Sequence, residues 1–186
     1  MRPRLAALLL PFALGACVPS VNPLYTSATL VSAPALVGTW VGQSGDVLVV
    51  TARDSTTYGL ALVNQDGDAS MWIGRVTTLA GRRWLDVAPA DLPDAWSAEY
   101  RDAFLATHQF WALQRVDSVL VAATLVYDSL KALVGRDPSV VAHATVQGNL
   151  LLTAETAALR AFVAAFADRP GSLGDGDRMR RVPQRR

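Results

Sequence analysis

The sequence predicts a mainly β protein with flanking α: an antiparallel meander of eight or nine strands forming a small barrel or half-barrel, with short helices and a C-terminal helix packed on it. Three observations point there. Short apolar runs rich in Val, Leu, Thr and Trp recur from residue 36 to residue 153. Turn residues separate them, among them Gly45, Gly67, Gly81 and Gly148, as in hairpins. One helical stripe then closes the series. With 186 residues, 51% of them hydrophobic, the chain suits a single domain with tails and not a disordered polymer.

Residues 36–41 form the first strand and 46–51 the second, around a turn at 43–45. Residues 57–63 form the third, with Tyr58, Leu60 and Leu62 on one face and Gly59, Ala61 and Val63 on the other. A turn at 64–67 leads to the strand 69–78, and 80–82 turns it into 83–87. Pro93 and Asp94 open a short helix through Phe104, whose Trp96, Tyr100 and Phe104 make a core-packing stripe. Strands resume at 108–116 and 119–127. Asp128 caps a short helix, 129–134, which Gly135 closes. Residues 140–146 and 150–153 make a last hairpin. Thr153 then caps the clearest helix, Glu155 sits in its first turn, and Pro170 and Gly171 end it. Leu159, Phe162, Val163 and Phe166 form its apolar stripe, which must cover a sheet edge or the barrel side.

The N-terminus carries a different signal. Arg2 and Arg4 precede an apolar run from Leu5 to Ala13, and small residues follow, the layout of a secretory signal peptide over 1–16. Residues 5–16 would reach only about 18 Å as a helix, against a hydrocarbon core of about 30 Å. Leu14, Gly15, Ala16 and Cys17 resemble the lipobox of bacterial lipoproteins. The resemblance implies cleavage before Cys17, a diacylglycerol on its sulfur and an acylated amine. Cys17 is the only cysteine, so its thiol has no disulfide partner within the chain. One acyl chain holds a protein only marginally, so several are needed for stable attachment. Val18, where an Asp would favour retention at the inner membrane, implies the periplasmic face of the outer membrane.

Processing leaves 170 residues with 15 basic and 16 acidic side chains. That balance argues against nucleic acid as a partner. Residues 17–35, with three prolines, read as the lipidated cysteine and a tether, whose Leu24 and Tyr25 pack back onto the fold. Residues 36–168 read as the β domain. Residues 169–186, with six Arg and two Asp, read as a disordered basic tail.

Asn22-Pro-Leu-Tyr-Thr26, followed by Pro34-Ala-Leu-Val-Gly-Thr-Trp40, resembles the start of a family of uncharacterised bacterial lipoproteins. The family implies a lipocalin-like β domain behind a short tether, and no assigned activity. Gly38 and Trp40 also resemble the Gly-x-Trp of the first lipocalin strand, where the Trp plugs one barrel end, often under an Arg. A plain core Trp fits the same residues.

No catalytic motif is present, so no enzyme and no cofactor are expected. His108 and His143 sit in strand-like runs at no metal-ligand spacing, and each is expected to be satisfied by hydrogen bonds. Asp66 and Asp68 flank Gly67 in a turn without a calcium pattern. The expectation is a non-enzymatic envelope lipoprotein. It would bind a small apolar ligand in the barrel, with Gly59, Ala61, Ala122 and Ala123 leaving space. The alternative is a filled core acting through an envelope protein or the basic tail.

Replacing Cys17 by Ser is expected to leave the protein unprocessed or released from the membrane fraction, read by fractionation and intact mass. Normal processing with full membrane retention would refute lipidation.

Overall fold

A computed structural model describes residues 18–90 and 104–183. The signal peptide, the lipobox with Cys17, and the expected helix with Trp96 and Tyr100 fall outside the described residues. The chain runs through β1 (Gly38–Gly42), β2 (Val47–Ala52), β3 (Thr57–Val63), β4 (Ala69–Leu79), β5 (Arg82–Pro89), β6 (Gln109–Val116) and β7 (Val119–Thr124). It continues through α1 (Tyr127–Arg136), the hairpin β8 (His143–Val146) and β9 (Asn149–Leu152), α2 (Thr156–Ala167) and β10 (Asp177–Arg181).

β1 to β7 form the expected antiparallel meander, and β10 closes it into an eight-stranded barrel by inserting between β1 and β7. On one side Arg181 pairs with Trp40 and Met179 with Gly42. On the other Met179 pairs with Leu120 and Asp177 with Ala122. Full closure leaves the wall no free strand edge.

Alternation sorts the wall residues into two cores. Inside lie Trp40, Leu48, Val50, Tyr58, Leu60, Val76, Leu85, Val87 and Leu120. Outside, Trp84 and Phe110 project from β5 and β6 into a second cluster with Leu130 of α1, Leu150 and Leu152 of β9, and Leu159, Val163 and Phe166 of α2. Burying a large apolar side chain stabilises by about 1.5–3 kcal/mol. β5 is therefore buried on both faces, because helices cover its outer one. The α2 stripe covers the barrel side as its spacing predicts.

Three expectations change. The segment read as a disordered basic tail contains β10. Its strand character is hidden because Met179 is its one apolar residue. Arg178 and Arg180 stand on outward positions in water, while Met179 packs on the inner core. The expected tether is packed from its second residue. Val18, Ser20, Leu24, Ala33 and Leu36 are buried, and Ser20 exchanges backbone hydrogen bonds with His108. The tether's prolines resist a long α-helix but allow an extended strap broken by single 3-10 turns at Ser27–Thr29 and Pro34–Leu36. The last hairpin stays out of the wall as a separate two-stranded sheet. Among the described residues, the folded body thus takes in 18–35 and 169–183 as well as the expected β domain.

Cap positions also shift. Val126, not Asp128, precedes α1, and Glu155, not Thr153, precedes α2. Asp128 remains in the first turn, where the helix dipole favours it.

Deleting residues 177–186 removes β10 and parts β1 from β7. The expected outcome is loss of the cooperative thermal transition and of the near-ultraviolet dichroism of the tryptophans. A shortened chain that melts like the full one would contradict this closure.

Candidate functional site

Eight-stranded barrels hold ligands at their ends or in their lumen, so the two ends decide what this one can hold. One end is shut. Trp40 is fully buried there and donates its indole N–H to Leu36 O at 2.8 Å. The guanidinium of Arg181 lies over the Trp40 ring, 4.1 Å from its centroid. Arg181 also donates to Val37 O at 2.7 Å, to Asp117 O at 3.2 Å and to Ala35 O. Stacking on the ring contributes about 0.5–2 kcal/mol. Gly38 makes room for it. Its φ is +143°, and a Cβ there would sit 2.7 Å from an Arg181 nitrogen. Gly38 and Trp40 therefore do meet at a barrel end under an Arg, and that Arg comes from the segment read as a tail.

The middle of the lumen is filled. Gly74 faces inward between Leu60 and Leu85, and a Cβ there would come within 2.6 Å and 2.9 Å of their methyl groups. The residues expected to leave space are mostly elsewhere. Ala123 pairs with Ala112 under the outer layer. Gly59 pairs with Thr51 on the outer face, beside Arg53. Ala61 pairs with the exposed Met71. Ala122, which pairs with Leu113 and Asp177, faces in.

The other end is looser. Leu62, Trp72, Trp111 and Met179 pack on the inner core but stay half-buried. Trp72 donates its indole N–H to Ser70 at 2.9 Å. Two carboxylates stand on this side. Asp177 has its pKa raised, first by partial burial and then by the charge of Asp46. This end accordingly combines aromatic surface with negative charge.

A third cluster was not legible as a motif. Asp86 faces outward from β5 and is buried, accepting the Leu24 N–H and the His108 Nδ1–H, each at 2.6 Å. A carboxylate only accepts, so Nδ1 of His108 carries the proton. The Tyr25 ring meets His108 edge-on at 6.3 Å, and Arg75 donates to the Tyr25 hydroxyl at 3.1 Å. Arg160 of α2 reaches Leu24 O at 2.5 Å and Thr78 O at 2.9 Å. Together these groups fasten the strap across β4 and β5. The available signal was an Asp in the middle of the buried run 84–87, since a buried carboxylate needs partners. His143 is held by the carbonyl of Val141 at 2.9 Å.

A surface hollow of about 420 Å³ lies outside the wall, between Arg82, Arg83, Gln114 and Leu173. Arg82 is already engaged there by Asp168 at 2.9 Å and Ala167 O at 3.0 Å. Among the described residues no three His, Cys, Asp or Glu side chains gather as metal ligands, and no helix is long and apolar enough to cross a membrane. No protein-family model matches the chain, and no curated protein or solved structure does.

Replacing Asp86 by Ala leaves the Leu24 amide and His108 without their acceptor. Its expected cost is about 3 kcal/mol, measured by denaturant unfolding, with Asp86→Asn costing less. A change within about 0.5 kcal/mol, the range of a neutral surface substitution, would show that the strap is held elsewhere.

Proposed function

We propose that the protein is a non-enzymatic lipoprotein of the bacterial envelope, anchored by acyl chains on Cys17 at the periplasmic face of the outer membrane. In this reading its lipocalin-like barrel takes a small apolar ligand at the end opposite Trp40. One observation carries the binding role: Leu62, Trp72, Trp111 and Met179 remain half-buried there, while the other end is plugged. Apolar walls with a few polar groups are the usual make-up of small-molecule sites. Asp46 and Asp177 add a preference, because two nearby carboxylates repel an anion. The ligand is then neutral or cationic and shallowly seated, since Gly74, Leu60 and Leu85 leave no depth below it.

The close packing at Gly74 favours the second reading, a filled core that acts through an envelope protein. Its other form, a free basic tail, loses support, because residues 177–181 lie in the barrel wall.

Titrating the mature protein with a neutral lipophilic dye separates the two. Saturable binding is expected, with weaker binding of an anionic dye of similar size. Trp72→Ala and Trp111→Ala should each weaken binding about tenfold, or about 1.4 kcal/mol, in variants that still unfold cooperatively. Folded protein that binds neither dye saturably would leave the filled-core reading.

A further inference from the structure

We infer that the tip of the β8–β9 hairpin rests on the lipid surface, so that the barrel is held at the membrane in a fixed orientation. This rests on the lipoprotein reading of Cys17. Little chain separates the acylated residue from the folded body. Val18 is 4% exposed and sits in the outer core. The Cα of Cys17 is one peptide bond away, about 3.8 Å. An acylated cysteine at that distance leaves no slack to lift the domain off the bilayer.

The strand pairing of the strap sets which face meets the lipid. Residues 19–21 run parallel to β9: Leu152 donates to Pro19 O at 2.9 Å and accepts from the Val21 amide at 2.8 Å. That register sets Val18 beside Leu150, and both belong to the outer core. Leu150 pairs with Thr145, and Asn149 with Val146. The hairpin tip is therefore about two strand spacings from the anchor, roughly 10 Å.

Val146 is 50% exposed, one of the few large apolar side chains in water among the described residues. The Leu150 amide donates to the Tyr127 hydroxyl at 3.1 Å, and the Lys131 ammonium lies over that tyrosine ring at 5.7 Å. The turn itself is Gln147 and Gly148 between Val146 and Asn149; one exposed valine on a polar, uncharged turn with a cation behind it suits the headgroup region of a bilayer, where a lysine reaches phosphates while the valine meets the acyl boundary. Thr51 is exposed on β2, which stands across the barrel from β6, and the anchor segment bridges to His108 just before β6.

The test uses the mature lipidated protein in vesicles of phosphatidylethanolamine and phosphatidylglycerol carrying a nitroxide on the headgroup. Single variants Val146→Cys, Thr145→Cys and Thr51→Cys receive a small fluorophore after Cys17 is acylated. Flotation with the vesicles and quenching of the fluorophore are both read. The expected result is flotation of all three, with several-fold stronger quenching at 145 and 146 than at 51. The Thr145 label serves if the Val146 variant misfolds. Flotation with equal quenching, or with stronger quenching at 51, overturns the orientation and leaves the anchor standing. Failure of the acylation-competent chain to float overturns both.

Discussion

Closure of the barrel by β10 is the constraint on which the rest depends. Without it β1 and β7 would both expose their backbone donors and acceptors, and the inner core would open along one side. The strand that does this is nearly all charged, yet its register is fixed at the point of greatest consequence. Arg181 pairs with Trp40 in the wall and also lies on the indole ring. One residue therefore closes the sheet, plugs the end and satisfies the carbonyls of the turn before β1. Gly38 is coupled to it, because any side chain there would displace the guanidinium.

The two-sided burial of β5 has a further consequence. Trp84 and Leu85 are adjacent in sequence and belong to different cores. Residues 125–176 supply most of the cover over Trp84 and Phe110, so that insertion is a second layer of the fold and not an appendage. The strap adds to the same layer through Val18 and Leu24. It then passes Thr77 and Val76, where Val31 donates to Val76 O at 2.9 Å, and enters β1 through the plugged end. Asp86 matters because it is the buried charge among the polar groups that hold the strap, and an extended strap has no periodicity of its own to set its position.

Much of the wall was legible because its pattern is local. Residues 57–63 alternate, and they form a strand over those limits. The α2 stripe at Leu159, Phe162, Val163 and Phe166 is buried throughout. What stayed hidden depends on partners distant in sequence. Asp177–Arg181 becomes a strand because β1 and β7 offer it two edges, and its composition alone reads as a solvated tail. The strap was hidden by its prolines, which report only what the backbone cannot do. Asp86 and His108 are brought together by the pairing of β5 with β6, so no spacing motif marks them. Of the plugged end, Gly38 and Trp40 were legible and Arg181 was not, since nothing local ties residue 181 to the first strand; of the open end, neither Trp72 nor Trp111 was marked, since only the barrel's closure brings them together with Met179.

The same closure sets an order on folding. The meander from β1 to β7 is built of neighbouring hairpins, whose contacts are local and form early. β10 is separated from β7 by the helices and the separate hairpin, and Leu173 leads it back by an isolated bridge with Leu125. The entropy of closing so long a loop grows only as the logarithm of its length. The difficulty is therefore one of order and not of cost. Until β10 arrives, β1 and β7 are open edges, and open edges invite pairing between chains. A strand with arginines on its outer positions suits this late step. It stays solvated while it waits, resists pairing with copies of itself through like charge, and commits only where Trp40 offers its ring to Arg181.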